Sequence, residues 1–360
     1  MKTLVHPRTS TDIAKAIEKL SSPNADRLIK LIKEKSGRLK EKGIEHEISS
    51  EKGVELLCLY DGIKLRSVDQ KFTRWLQQDE QRSLFDLKST ADASGKHIIR
   101  YTGKYKNLVV SMKLVKRNWI LYISGSVHKF FNILTRQESQ NYNDFYWKDF
   151  LKVYDELIKV FQFDPKDMDV VNLEAGVNCL VPTHLNLTTP EIMENIISLF
   201  KVCRSINWIL EPNQDFFKVK RGERYLKFYD KSIQKKLLQQ IVRLELGYER
   251  SRQIIKDCKA KSFFDLTKPE TSVMLEDCLI MAFETIHTYH PALYDVPLHE
   301  IGSDREILKY NNPLFWCELK HRSRYQHDKK RQKHDLLISK YCQYSLTTVI
   351  IEMLVKKLRG

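Results

Sequence analysis

Four stretches in which apolar and polar residues alternate one by one constrain this chain more than any other feature. They are "HIIRYTGKYKNLVVSMKLVKRNWILYISGSVHKFFN", "MDVVNLEAGVNCLVP", "RYLKFYDKS" and "QIVRLELGYER". Alternation puts successive side chains on opposite faces of a strand, so each stretch is a half-buried strand or set of strands. The first reads as an antiparallel meander with turns at Gly103 and Asn118. An earlier segment, "GVELLCLYDGIKLR", reads as two short strands around a turn at Asp61–Gly62. Helical spacing interrupts the pattern. "NDFYWKDFLKVYDELIKVFQF" lines up Trp147, Phe150, Leu151, Tyr154, Leu157, Ile158 and Phe161. "TTPEIMENIISLFKVC" begins with Thr189 as cap and Pro190 at the first helical position. Strands and helices in this order predict an α+β fold, an antiparallel sheet with helices on one face.

The 360 residues divide into three regions on this reading. Residues 1–90 form a helical or mixed N-terminal region, with a helix from Asn24 or Asp26 to Gly43. Residues 91–260 hold the sheet. Residues 261–360 are all helical: one helix starting near Thr267 and Pro269, one through "NPLFWCELKHRSRYQHDKKRQKHDLL", and a last amphipathic one, "SLTTVIIEMLVKKL". No apolar run is long enough to span a membrane, and the first residues lack the apolar middle of a signal peptide. The seven cysteines are isolated from one another, which argues against zinc ribbons and disulfide frameworks and for a reducing, cytoplasmic setting. His287 and His290 form a helical pair with no further zinc ligands in view. Lysine and arginine exceed aspartate and glutamate by 61 to 46, and a net charge of +15 favours a polyanionic partner.

The polar faces of the strands carry the chemistry. His128 shares one with Tyr122, Ser124 and Ser126; Glu174, Tyr229 and Glu245 fall on the polar faces of the other three strands. If these strands are neighbours, His128, Glu174 and Glu245 can hold a divalent cation such as Mg²⁺ or Mn²⁺. Tyrosine can act as a nucleophile toward phosphorus. At an ordinary pKa near 10, only about 0.1% of it is phenolate at pH 7, so Lys227 or Lys231 beside Tyr229 would help. Each residue also has a plainer role: a hydrogen-bonded structural histidine, a solvent-facing glutamate, an ordinary strand tyrosine.

The order "YISGSVHKFFN…NYNDF", "LEAGVN", "LKFYDKS", "VRLELG" resembles the filamentous-phage gene II and plasmid rolling-circle replication initiators, and more broadly the HUH endonuclease superfamily. The resemblance covers residues 119–250. It implies an HUH-like nuclease domain that nicks one strand of single-stranded or supercoiled origin DNA. Such an enzyme stays joined to the 5′ phosphate through tyrosine, here Tyr229, and later rejoins the strand. It also implies a separate helicase and single-strand binding protein as partners. The family's His–hydrophobic–His triplet is absent, so acids would replace histidines among the ligands. Tyr225, four residues earlier, would stand about 13 Å from Tyr229 along a strand, too far to share a phosphate. DNA recognition is expected from Lys320, Arg322, Arg324, Tyr325, Lys329, Lys330, Arg331 and Lys333, with Trp316 as a second stacking ring. A non-catalytic nucleic-acid-binding regulator and a water-using, metal-dependent phosphodiesterase are the rival functions.

Overall fold

The computed structural model describes residues 56–183, 188–198, 216–288, 296–302, 304–310, 312–341 and 345–359. The expected amino-terminal helix lies outside them. In chain order the elements are β1 (Tyr60–Ser67), α1 (Gln70–Leu76), α2 (Asp79–Leu84), β2 (Lys88–Ala91), β3 (Ile98–Tyr105), β4 (Leu108–Val115), β5 (Asn118–Ser126), α3 (Val127–Arg136), α4 (Trp147–Phe161) and β6 (Asp169–Leu180). There follow α5 (Thr189–Glu194), β7 (Ile196–Ser198), β8 (Phe216–Arg221), β9 (Arg224–Asp230), α6 (Lys231–Lys235), β10 (Ile241–Tyr248), α7 (Ser251–Cys258) and α8 (Pro269–Phe283). The chain closes with β11 (His287–Thr288), α9 (Leu298–Ile301), α10 (Asp304–Tyr310), α11 (Pro313–Arg322), α12 (Arg324–Tyr341) and α13 (Leu346–Arg359). Nine strands form one sheet in the order β2-β3-β4-β5-β1-β6-β10-β9-β8, and β7 pairs with β11 apart from it. The α+β reading holds.

Two compact units emerge, and both are discontinuous in sequence. The meander unit comprises the described residues of 54–176 and 245–276; the hairpin unit comprises those of 177–244 and 277–360. The sequence boundaries near 90 and 260 fall inside the meander unit rather than between units.

In the meander unit, β3, β4, β5 and β1 pair antiparallel. Val110 faces Ile123, Met112 faces Leu121, and Leu65 faces Ile123 from the other side. These residues are fully buried, so the alternation read from sequence does sort apolar from polar. Helix α4 adds Phe150, Val153, Leu157 and Phe161 to this core, and Phe161 stacks on Phe85 with centroids 4.7 Å apart. Removing a ring buried this way costs about 3–5 kcal/mol.

The turns fall elsewhere than expected. Tyr105 pairs with Leu108, and Val115 with Asn118, so the two-residue turns are Lys106–Asn107 and Lys116–Arg117. Lys116 and Arg117 both take positive φ, 48° and 69°, as a right-twisted hairpin demands even without glycine. Gly103 lies inside β3 for another reason: a Cβ there would sit 2.2 Å from the carbonyl oxygen of Phe85. Asp61–Gly62 is likewise no turn; β1 continues through it, with a bulge toward β6.

In the hairpin unit, β8 and β9 pair antiparallel around Gly222–Glu223, where Gly222 has φ 63°. Thr188, not Thr189, caps α5, trading hydrogen bonds with Glu191. That helix ends at Glu194 and the chain turns into β7, which pairs with β11. The region after 261 is therefore not wholly helical, and His287 lies on a strand, not in a helical pair; His290 is outside the described residues. The long basic helix is two helices. Ser323 separates them, its hydroxyl accepting from the Gln326 amide of the next helix. Helix α13 is buried continuously from Leu346 to Ile351, and Glu352, Lys356 and Arg359 then give its second half a polar face, so it is amphipathic only toward its end.

Candidate functional site

A β-bulge builds the polar site of the meander unit. Tyr60 pairs with Ala175 and Ile63 with Leu173, so Asp61 and Gly62 together oppose the single residue Glu174. A bulge of this kind re-aims side chains, and such irregularities concentrate beside active sites. Gly62 leaves room for the Glu174 carboxylate: a Cβ at position 62 would lie 2.5 Å from Glu174 Oε2. Asp61 is buried, and both its oxygens accept hydrogen bonds, one from the Ser126 hydroxyl and one from Asn141 Nδ2 at 2.9 Å. Ser126 also caps α3, accepting from the Lys129 amide at 3.1 Å. The end of β5, the start of α3 and the bulge are thus tied to one carboxylate. Sequence reading took Asp61–Gly62 for a turn and missed Asp61. The only cue, an acid before a glycine inside an alternating run, also describes a hairpin turn.

His128 is placed differently from expectation. The strand ends at Ser126, so His128 belongs to the first turn of α3 rather than to a sheet face. Its ring is 4% exposed, stacks on Phe145 at 4.8 Å, and meets Asn143 Oδ1 through Nε2 at 3.0 Å. Asn143 in turn exchanges hydrogen bonds with Asn132. Glu245 is buried on β10. Among the described residues, no three His, Cys, Asp or Glu side chains are grouped so as to hold a metal ion. His128, Glu174 and Glu245 therefore do not form the expected triad. What the fold does set opposite each other, across the bulge, are residues Asp61 and Gly62 on one strand and Glu174 on the other.

The hairpin unit positions the tyrosine. Tyr229 is half-buried at the penultimate position of β9. Asp230 ends the strand and caps α6, its Oδ1 accepting from the Ile233 amide at 2.9 Å. Strand and helix thus meet directly behind Tyr229. Lys231 is only 2% exposed; its Nζ lies 5.4 Å from the Tyr229 ring centroid and donates to Gln234 Oε1 at 2.9 Å. Lys227 Nζ lies 5.2 Å from the ring of Tyr225. Of the two lysines named from sequence, Lys231 is the one held against Tyr229. Tyr225 is 4% exposed, a buried ring. Burial also raises the phenol pKa of Tyr60, Tyr105 and Tyr154, and pushes that of Tyr310 up to about 12. The buried Cys58 thiol is pushed up for the same reason.

On α12, Tyr325, Lys329 and Lys333 are exposed and four residues apart, one stripe of a helix. Tyr325 is 70% exposed. Lys330 points elsewhere and donates to Glu306 at 2.7 Å. Arg331, Arg324 and Arg322 have acidic neighbours in Asp335, Asp328 and Glu318, at 3.7, 3.9 and 3.8 Å. The Lys320 side chain lies outside the described residues. Trp316 is 5% exposed, packed with Tyr310, Leu337 and Ile338, and offers no ring for stacking on bases. His327 and His334 are buried around the same indole.

No family model matches the chain, and no curated protein matches it. Among solved structures, it is similar to the rolling circle replication initiator protein from Geobacillus stearothermophilus, at 14% identity and a TM-score of 0.30, over 56% of this chain and 79% of that one. A likeness so slight transfers neither fold nor function. Among the described residues, no helix is long and apolar enough to cross a membrane.

Proposed function

We propose that the protein nicks and rejoins single-stranded DNA through Tyr229, in the manner of a rolling-circle replication initiator. The observation that carries this is the seat of Tyr229: a half-buried phenol at a strand end, backed by the helix cap of Asp230, with the Lys231 ammonium against its ring. The Tyr229 oxygen attacks phosphorus and forms a P–O bond as the bond to the 3′ oxygen breaks. The phenolic proton is given up, and the departing 3′ oxygen takes one. The 5′ phosphate is left on tyrosine. Attack by a 3′ hydroxyl reverses each of these changes, so rejoining needs no ATP. Catalysis is chiefly positioning and charge stabilisation, and Lys231 lowers the cost of phenolate beside it.

A divalent cation, Mg²⁺ or Mn²⁺, would supply charge stabilisation to phosphate oxygens when bound. Within the meander unit, Glu174 is the carboxylate best suited to help hold one, since Gly62 leaves its side chain room while both Asp61 oxygens are engaged by Ser126 and Asn141. The stripe of Tyr325, Lys329 and Lys333 would contact origin DNA, the lysines at phosphates and the ring at an unpaired base. A helicase and a single-strand binding protein would be separate partners.

Incubation with single-stranded origin DNA and Mn²⁺, followed by a denaturing gel, tests the central claim. A protein–DNA adduct that wild type forms and Tyr229→Phe does not is the expected result. Cleavage with a free 5′ phosphate and no adduct would favour the water-using phosphodiesterase; binding with no cleavage would favour the regulator.

A further inference from the structure

The register of the β8–β9 hairpin sets up three rungs on one face: Phe216 opposite Tyr229, Lys218 opposite Lys227, and Lys220 opposite Tyr225. The other face carries Phe217, Val219, Leu226 and Phe228, of which Val219, Leu226 and Phe228 are buried. The polar face therefore places three lysines in line with Tyr229.

The middle rung is unusual. Like charges directly opposite each other destabilise an antiparallel pair. Here they are kept, and both ammonium groups are gathered over one ring: Lys218 Nζ lies 4.3 Å and Lys227 Nζ 5.2 Å from the Tyr225 centroid. A buried tyrosine thus acts as a platform that holds two cations together. Two ammonium groups converging on a half-exposed face suit an anion that can take both. Rungs on one face follow each other at about 6.8 Å, close to the separation of successive phosphates in an extended single strand. A strand whose attacked phosphate sits at the Tyr229 rung would bring its next phosphate to the Lys218–Lys227 rung, and the one beyond it to Lys220, which is exposed.

We propose that this face is a phosphate ladder that holds a single DNA strand in register with Tyr229, with Lys218 and Lys227 gripping the phosphate adjacent to the one attacked. The proposal rests on the reading of Tyr229 as nucleophile, and it can fail independently of it. It also gives Lys227 a different role from assisting the Tyr229 hydroxyl.

The test uses the full chain and fluorescein-labelled oligo(dT), with binding followed by anisotropy over a series of salt concentrations. Lys218→Gln/Lys227→Gln keeps the stems and removes the charges. The log–log salt slope should flatten by about 1.4, about 0.7 for each lost phosphate contact on single-stranded DNA. Each single variant should lose about half of that, which keeps the test readable if the double variant folds poorly by circular dichroism. Lys218→Arg/Lys227→Arg should keep the slope. Lys256→Gln, exposed on α7, should leave it unchanged. On cleavable origin DNA, the glutamine pair should raise KM with little change in kcat. An unchanged slope in the glutamine pair, or an equal loss in Lys256→Gln, overturns the ladder. If the slope is unchanged while wild type still forms the adduct, the nuclease reading stands alone. If the slope flattens and wild type forms no adduct, the ladder stands as a binding surface without the nuclease.

Discussion

At the β1–β6 bulge residues Asp61 and Glu174 oppose each other, at the β8–β9 hairpin Lys218 and Lys227 do, and the two are assembled by different means. At the bulge, Asp61 is held by Ser126 and Asn141, and Glu174 occupies the space that a side chain at Gly62 would fill. Short side chains fixed by neighbouring donors leave little freedom, which suits hard ligands that must be in place beforehand. At the hairpin, four-carbon stems carry Lys218 and Lys227 over the Tyr225 ring. Long cationic side chains adapt to a polymer whose phosphates move. One site is stiff and the other compliant, and each can be broken without the other.

The largest effect is expected at the hairpin. Tyr229→Phe keeps the ring and removes one oxygen, so covalent adduct and cleavage should fall to background while oligo(dT) affinity is retained. An adduct that persists in this variant, and disappears in Tyr225→Phe, would move the nucleophile to a ring that is now read as a buried platform.

Next comes the bulge. In Gly62→Ala the new methyl meets the far end of the Glu174 side chain, which can swing away, so the fold should survive. The carboxylate cannot keep its place, however. Metal-dependent cleavage should fall by about tenfold to a hundredfold, as for loss of an orienting group around a metal, and should need more Mn²⁺ to reach half its maximum. A wild-type Mn²⁺ titration curve in this variant would remove Glu174 from the metal assignment. His128→Ala sharpens the contrast. It should cost about 1–3 kcal/mol in urea unfolding by removing one hydrogen bond to Asn143 and unstacking Phe145, with the Mn²⁺ titration unchanged.

A smaller effect is expected on α12. Lys329→Ala/Lys333→Ala should flatten the salt slope for duplex DNA by about 0.9 per contact. Lys330→Ala should leave the slope alone, because that ammonium belongs to Glu306. The smallest effect is a pH dependence. Burial alone would raise the Asp265 pKa, but Lys268 and the amides of Ser262 and Lys261 outweigh it and hold the carboxyl at about 2. Its folded-state pKa is thus below the unfolded value of about 3.9, so its contribution to stability is present above that value and is lost as pH falls toward 2. Wild type and Asp265→Asn should differ in Tm near neutral pH and converge in acid.

How much of this could be read in advance differs by element. The burial of Trp147, Phe150, Leu157 and Phe161 on α4 followed from spacing, because burial of every third-to-fourth residue is a local rule, whereas Leu151, Tyr154 and Ile158 are only half-buried and Val153 takes an inward place that the spacing did not give it. Tyr229 and the break at Asp230 were visible because strand alternation is local too. The turns were misplaced because glycine and asparagine only favour positive φ, whereas the pairing of long strands imposes it on Lys116 and Arg117.

From the order of its residues alone this chain was bound to form an α+β sheet protein with a basic surface, and Tyr229 stood out at the end of a strand. Which charged groups meet was a matter of pairing between residues far apart in the chain. Asp61 opposes Glu174 only because β1 lies beside β6 with one extra residue, and Lys218 opposes Lys227 only through the β8–β9 register. His128 lies off the sheet face because the strand stopped two residues before it, where Ser126 found a helix to cap. Periodicity assigns a residue to a face, but only long-range register and the hydrogen bonds that end an element determine its partners across that face.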